Sequence, residues 1–167
     1  PAERRQQLLG VATELLEEGG PDALRMDALA RAAGVSRPVV YEQFGDRDGL
    51  IVALVHEYAV RLQAAATESR DSDQPGDLEA ELTAMVRAYL ARVREQGAAL
   101  RSLLRSSGPS PRVDQARALI WQVAIDRWAT RYRDEVALRR ADAEALAGYH
   151  LQGLWSLAER HLAGQLS

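Results

Sequence analysis

The stretch LARAAGVSRPVVYEQFGDRDGLI, residues 29–51, decides the fold of this chain. It begins with the 3.6-residue apolar spacing of a short amphipathic helix, and Gly34-Val35-Ser36 then interrupts and restarts the helical register. Ser36 is a favourable N-cap residue for the second helix, and Pro38 is tolerated because it falls in the first turn. This second helix is predicted over residues 37–44.

Two short helices joined by a tight glycine turn are the sequence form of a helix-turn-helix. In that motif the first helix packs against the core, and the second presents its outer face to the DNA major groove. Val40 and Phe44 lie four residues apart and are predicted to be the buried positions of the second helix. The opposite face, free to meet DNA, carries Arg37, Pro38, Val39, Tyr41, Glu42 and Gln43.

Composition predicts an all-α fold of about nine helices without strands. The chain has 167 residues, of which only 5% are aromatic, and Ala, Leu, Arg and Glu dominate over β-branched residues, which favours helix. Helical segments are predicted from about Ala2 to Glu18, from Met26 to Ala33, from the cap Asp46 to about Ser69, after the cap Asp77, around Leu100 to Leu104, from about Pro111 to Ala137 with Ser110 as the N-cap, and from after Asp142 to near Gly164. Residues 70–76 read as a linker.

Several classes of function are excluded or left without support by the sequence. There is no cysteine, which excludes disulfides, thiolate zinc sites and a cysteine nucleophile. No apolar run reaches the length of a membrane span and no signal peptide is present, so a soluble, cytoplasmic protein is predicted. No phosphate-binding loop, nucleophile elbow or dinucleotide fingerprint occurs, so neither enzymatic activity nor a cofactor is predicted. His56, His150 and His161 lack metal-site spacing, so no metal is predicted.

Residues 33–51, AGVSRPVVYEQFGDRDGLI, strongly resemble the N-terminal domain of the TetR family of bacterial transcriptional repressors. The preceding helix, LLGVATELLEEGG at residues 8–20, and the segment LARAAGVS at residues 29–36 match the family with the correct spacing. The remaining two-thirds resembles the family only in helix count and length. The resemblance implies a helix-turn-helix DNA-binding domain at residues 1–48 and an effector-binding and dimerisation domain at residues 49–167.

Geometry and the resemblance together assign roles on the DNA side. Arg25 replaces the family's usual threonine, Gln43 a histidine or tyrosine, and Arg47 a lysine. The candidate phosphate contacts are Arg25, Ser36, Tyr41 and Arg47, and the candidate base-contacting residues are Arg37, Gln43 and Val39, with Pro38 on the same face and Glu42 as an acceptor for cytosine. Two alternatives stay open: Tyr41 as a packing residue beside Phe44, and Arg37 as a merely solvated residue.

Charge predicts only a weak nonspecific attraction to DNA. Residues 1–57 contain six arginines and ten carboxylates, a net charge of −4, and the cations that bind phosphate must therefore be local. All 21 basic residues of the chain are arginine. The chain begins at Pro1, which leaves open removal of a methionine or absence of an N-terminal arm.

The last two helices are predicted to form a homodimer interface, because each has an apolar arc too wide for one neighbour to cover. Gly148 and Gly153 would allow close backbone approach. An entirely intramolecular core is the alternative. An apolar or aromatic effector is expected in a pocket within the C-terminal part. Its candidate residues, each of which has ordinary core packing as the alternative, are Leu62, Met85, Tyr89, Leu104, Trp121, Ile125, Trp128, Tyr149 and His150.

The resulting prediction is a homodimeric repressor that binds a palindromic operator. It is released from DNA when a small molecule displaces the helix predicted from Asp46 to about Ser69. Three alternatives remain: a helical ligand carrier or enzyme that retains this N-terminal fold, an architectural DNA binder without an effector, and an activator. The first would bind ligand without salt-dependent affinity for duplex DNA, and the second would have a filled C-terminal core.

Overall fold

The computed structural model describes residues 2–68, 78–95, 110–162 and 164–165, and these residues contain α-helices and no strand. The helices are α1 (Ala2–Gly19), a 3-10 turn (Pro21–Ala23), α2 (Met26–Ala32), α3 (Arg37–Phe44), α4 (Arg47–Glu68), α5 (Leu78–Glu95), α6 (Pro111–Val136) and α7 (Arg140–Leu162). The all-α prediction is confirmed. The predicted linker at residues 70–76 and the predicted short helix around Leu100 to Leu104 lie outside the described residues.

The chain divides into two compact units. The first comprises residues 1–60 and 95–118, and the second comprises residues 61–94 and 119–167. Helices α4 and α6 each contribute residues to both units. The division into a DNA-binding domain at residues 1–48 and an effector-binding domain at residues 49–167, which the family resemblance implies, stays a prediction.

A glycine turn joins α2 to α3 as the sequence predicts. Gly34 has a φ of 64°, in the left-handed region that residues with a side chain rarely adopt. The Gly34 amide donates to the Arg31 carbonyl at 3.2 Å, and the Val35 amide donates to the Ala30 carbonyl at 3.0 Å. This pair of hydrogen bonds is a Schellman motif, which satisfies the last carbonyls of α2 and redirects the chain into α3.

Helices α1, α2 and α3, which we call the reading head, pack around one apolar core in the first unit. Each helix contributes one face at its predicted spacing, and α2 packs against both α1 and α3. The buried side chains include Leu8, Leu9, Ala12, Leu16, Leu24, Met26, Leu29, Ala30, Val40 and Phe44. This burial fixes which side of α3 faces outward.

The start of α4 lies against the end of α3. Asp46 caps α4, as predicted, because its carboxylate accepts a hydrogen bond from the Gly49 amide at 2.7 Å. A β-carbon added at Gly49 would lie 1.9 Å from the carbonyl oxygen of Phe44. Only glycine therefore permits the observed approach of these two helices.

The second unit has its own apolar core, formed by α5, α6 and α7. Its buried residues are Met85, Tyr89, Trp128, Ala129, Tyr132, Ala143, Ala147 and Leu154. Helix α6 ends where Ala137 adopts a φ of 54°. Among the described helices, none is sufficiently long and apolar to cross a membrane.

The prediction that α7 starts after Asp142 was wrong, because the helix begins at Arg140. The carbonyl of Arg139 accepts the Ala143 amide at 3.0 Å, so helical hydrogen bonding starts before Asp142. Asp142 itself binds the Arg139 side chain at 2.7 Å, and it lies in the first turn where a carboxylate is favourable.

Candidate functional site

Helix α3 exposes the face predicted to contact DNA. Val40 and Phe44 are 0% and 5% exposed, which confirms both as the buried positions. The outward residues Ser36, Arg37, Pro38, Tyr41 and Glu42 are exposed, and Val39 and Gln43 are half-buried. A short helix with one buried and one open side, held by two others, has the geometry of a recognition helix.

Two polar groups on this face are not occupied by packing or capping. The Tyr41 side chain is 50% exposed, which disfavours its alternative role as a packing residue beside Phe44. Ser36 occupies the N-cap position of α3, but its side chain makes no capping hydrogen bond. Both hydroxyls are therefore placed where a phosphate oxygen could accept a hydrogen bond.

Arg25 stands at the N-cap position of α2 and projects into solvent. Its side chain is 67% exposed and pairs with Asp27 at 3.4 Å, and Arg31 pairs with the same carboxylate at 3.3 Å. Ion pairs this exposed contribute little to stability. Arg25 can therefore exchange Asp27 for a phosphate at low cost.

Arg47, the other arginine predicted to bind phosphate, has a different environment. Its Nε donates to the carbonyl of Leu24 at 2.7 Å, and its Nη2 donates to the carbonyl of Pro21 at 2.7 Å. The side chain is half-buried. The first turn of α4 is thereby tied to the turn between α1 and α2.

Arg5 makes a long-range contact that the sequence does not predict. It extends from α1 to the end of α3, donates to the carbonyl of Gln43, and lies 4.8 Å from the centre of the Phe44 ring. The arginine charge over the ring is a cation–π contact. No local sequence signal connects residues 38 positions apart, so only the fold shows this brace.

A polar groove of about 370 Å³ lies beside α3, between it and the start of α1. It is lined by Glu3, Arg4, Gln7, Glu42 and Gln43. The two carboxylates oppose the approach of a phosphate, which is in line with the net acidity of this region. Gln43 and Glu42, both predicted to contact bases, thus line one side of this groove.

The beginning of α6 is fastened to the beginning of α4 within the first unit. Ser110 donates to the Asp48 carboxylate at 2.5 Å, and Arg112 pairs with Asp46 at 3.1 Å. Ser110 and Pro111 start the helix as predicted. These pairs were not predicted, because they join residues more than 60 positions apart.

The second unit brings together some of the predicted effector residues. Met85, Tyr89 and Trp128 are buried in its core, and Ile125 packs against them. Trp121 is 36% exposed and Tyr149 is 82% exposed, so neither is part of this cluster. The side chains of Leu62 and Leu104 lie outside the described residues.

His150 is the polar group of this cluster, and its partner is Tyr132. The Tyr132 hydroxyl contacts the Nδ1 of His150 at 2.5 Å, and the Trp128 ring lies 5.9 Å from the imidazole. Burial lowers the pKa of His150 from its usual 6.5 and raises the pKa of Tyr132 above its usual 10.0. At neutral pH the hydroxyl therefore donates to a neutral imidazole.

This pair predicts a pH dependence of stability. The unfolded chain takes up a proton on His150 at higher pH than the folded chain does, so the free energy of unfolding falls as pH drops below about 6.5. We expect urea denaturation to show a larger loss between about pH 7.5 and about pH 5.5 in the wild type than in His150→Gln, which cannot titrate. Equal losses in both proteins would contradict this assignment.

The last two helices leave large apolar side chains in solvent. On α6 these are Leu119, Trp121 and Val123, and on α7 they are Leu146, Tyr149 and Leu157, which are between 36% and 82% exposed. A β-carbon added at Gly153 would meet nothing within 4 Å. These helices thus each have a second apolar side that the described residues do not cover.

Comparison with known proteins matches a family model to the N-terminal part of the chain. Residues 8–54 match the family model of the bacterial regulatory proteins of the tetR family. The HTH-type transcriptional regulator BetI of Escherichia coli is 26% identical over 91% of this chain and 80% of its own length.

The fold of the whole chain is similar to solved structures of the same kind. A TetR-family transcriptional regulator from Rhodococcus sp. superposes with a TM-score of 0.84, at 22% identity, over 100% of this chain and 91% of that one. A TetR-family protein from Vibrio parahaemolyticus gives 0.72, at 24% identity, over 98% and 88% of the two chains. The helix-turn-helix geometry and the match over residues 8–54 identify the N-terminal part of this chain as the DNA-binding domain of a TetR-family bacterial transcriptional regulator.

Proposed function

We propose that the chain acts in the cytoplasm as a homodimeric repressor that binds a palindromic operator and is released by a small molecule. The observation that carries this proposal is the outward face of α3, where Arg37, Tyr41 and Glu42 are exposed while Val40 and Phe44 anchor the helix. A rigidly held helix with polar and cationic side chains is suited to insertion in the major groove.

The DNA-contacting residues divide by what they can recognise. Arg25, Ser36 and Tyr41 supply phosphate contacts, which set position. Arg37 and Gln43 supply base contacts, since arginine matches guanine and glutamine matches adenine, and Val39 meets a thymine methyl group beside Pro38.

Dimerisation places two reading heads on one operator. One helix-turn-helix buries too little surface for specific binding at useful affinity, and such proteins bind half-sites about 34–36 Å apart as dimers. The uncovered apolar sides of α6 and α7, together with the open space at Gly153, support an interface formed by these helices. A two-fold symmetric contact would bury the same residues from both protomers.

The effector site is proposed in the second unit around the cluster of Met85, Tyr89, Trp128 and His150. Aromatic and thioether groups with a few polar tips suit an apolar or aromatic ligand. Helices α4 and α6 continue from this unit into the first. A ligand that moves either helix can therefore shift α3, with a coupling of typically about 1–3 kcal/mol.

Selection of a duplex from a random pool by the purified protein tests the DNA-binding function. We expect specific affinity that falls steeply with salt. Binding should be lost on addition of any small molecule that mass spectrometry finds to co-purify with the protein. The absence of salt-dependent duplex affinity would favour a ligand carrier. An affinity that is unchanged at saturating ligand would refute release by an effector.

Arg37→Ala is expected to relax sequence choice. A bidentate arginine–guanine contact supplies roughly 1–3 kcal/mol of discrimination, so affinity for the selected duplex should fall about tenfold or more while affinity for unselected duplex changes little. Competition binding with single-base variants of the selected duplex measures this. An equal loss on every sequence would show that Arg37 contacts phosphate instead, and unchanged binding would show that it is merely solvated.

A further inference from the structure

The environment of Arg47 differs from that of a cation held ready for DNA. Two donors of its guanidinium bind the Leu24 and Pro21 carbonyls, each at 2.7 Å. Both acceptors belong to the backbone that enters α2. Pro21 also accepts the Leu24 amide at 3.3 Å, so Arg47 completes the hydrogen bonding of this turn.

We propose that Arg47 is a positioning residue that fixes the entry of α2, and that it does not contact phosphate itself. This inference rests on the DNA-binding function proposed above. Leu24 is fully buried and directly precedes Arg25, which is exposed at the start of α2. Holding the Leu24 carbonyl therefore fixes the backbone from which Arg25 reaches the DNA.

The two hydrogen bonds to backbone carbonyls require an arginine side chain at position 47. A guanidinium presents parallel N–H groups in a rigid plane, whereas an ammonium is a single point on a flexible chain. Nε and Nη2 lie on one edge of that plane and reach two carbonyls three residues apart in sequence. Lysine at this position would keep the positive charge but lose one of the two hydrogen bonds.

Arg5 shows the same use of arginine at the other end of the reading head. It donates to the Gln43 carbonyl in the last turn of α3 and covers the Phe44 ring. Both ends of the reading head are thus braced by an arginine that donates to backbone carbonyls. Of the arginines predicted to contact DNA, Arg25 and Arg37 remain, and both are exposed.

The test separates charge from geometry with two variants. Arg47→Lys keeps the charge and loses the two-pronged contact, and Arg47→Gln loses the charge and keeps one donor. Both are compared with wild type on a selected duplex and on an unselected duplex of about 30 base pairs, or three helical turns. Affinities are measured over a range of salt concentration. Arg133→Met serves as the control, because it removes one exposed arginine charge far along the sequence on α6.

A positioning role gives one pattern of results. We expect both Arg47 variants to lose about tenfold in affinity for the selected duplex, since hydrogen bonds to charged groups are lost. Because Arg25 is a phosphate contact, affinity for the unselected duplex and the salt slope should fall as well, and they should fall in Arg47→Lys as much as in Arg47→Gln. All values for Arg133→Met should stay close to those of the wild type. Binding is measured below the thermal unfolding transition of each variant.

Three other results would overturn the inference. If Arg47→Lys binds normally and Arg47→Gln lowers the salt slope by roughly 0.9, Arg47 contacts a phosphate. If both variants only unfold at lower temperature while the folded protein keeps its affinity for both duplexes, Arg47 is merely structural. If wild type shows no salt-dependent affinity for any duplex, the proposed function itself fails, and this failure is seen without any Arg47 variant.

Discussion

Replacing Gly49 with alanine is expected to destabilise the reading head and abolish operator binding. The added β-carbon would lie 1.9 Å from the Phe44 carbonyl oxygen and 3.1 Å from its carbon. Both are backbone atoms, so no side-chain rotation relieves the clash, and α3 must move away from α4. Alanine normally stabilises a helix by about 1 kcal/mol relative to glycine, but here the overpacking reverses the sign.

We expect Gly49→Ala to cost roughly 3 kcal/mol, which corresponds to a fall in Tm of roughly 6–12 °C. Calorimetry and binding to the selected duplex measure the two effects. Gly10→Ala is the matched control, because Gly10 lies within α1 and a β-carbon there meets nothing within 4 Å. The control should be as stable as wild type or more so. If the two variants have the same Tm and the same duplex affinity, the close approach of α3 and α4 is required neither for stability nor for DNA binding.

The reading head was largely predictable because its signals are local. The glycine turn at Gly34 needs only neighbouring residues, and the spacing of Val40 and Phe44 marks the buried side of α3 without reference to the rest of the chain. Helix capping by Asp46 is equally local. Each of these predictions is confirmed by geometry that involves residues fewer than six positions apart.

The long-range contacts that brace the first unit were not predictable from pattern. Arg5, Arg47 and Arg112 each bind a group between 23 and 66 positions away, and an arginine on a helix surface gives no sequence sign of its partner. The sequence interpretation of Arg47 as a phosphate contact followed from family position and charge alone. Its two backbone acceptors become visible only when the turn that contains Pro21 and Leu24 is placed.

The helices of the second unit posed a different problem, because both sides of α6 and α7 are apolar. Trp121 and Trp128 were both predicted to line the effector pocket, yet Trp128 is 8% exposed and Trp121 is 36% exposed. The hydrogen bond between Tyr132 and His150 was not predicted, because the two residues lie on different helices. When two faces of a helix are equally apolar, tertiary packing alone selects the inner one.

The second large expected effect is dissociation of the dimer by changes on the uncovered apolar face of α7. Leu146 and Leu157 are 42% and 54% exposed, and they lie on the same face of α7 as Gly153. If a second copy covers this face, the double variant Leu146→Glu with Leu157→Glu should dissociate the dimer. A two-fold interface contains each substituted residue twice, so the double variant removes four leucines from it. Partial burial of four leucines contributes about 4 kcal/mol to dimerisation, and its loss raises the dimer Kd roughly a thousandfold.

Loss of the dimer removes one of two half-site contacts, so operator affinity should fall by at least about a hundredfold while each monomer stays folded. Sedimentation equilibrium, circular dichroism and duplex binding measure assembly, folding and function separately. Val60→Glu is the matched control, since Val60 is 50% exposed but lies on α4. A double variant that remains dimeric, or a wild type that is monomeric at micromolar concentration, would exclude this face as the interface. A folded monomer without operator affinity would instead show that specific binding depends on joining two reading heads through α7.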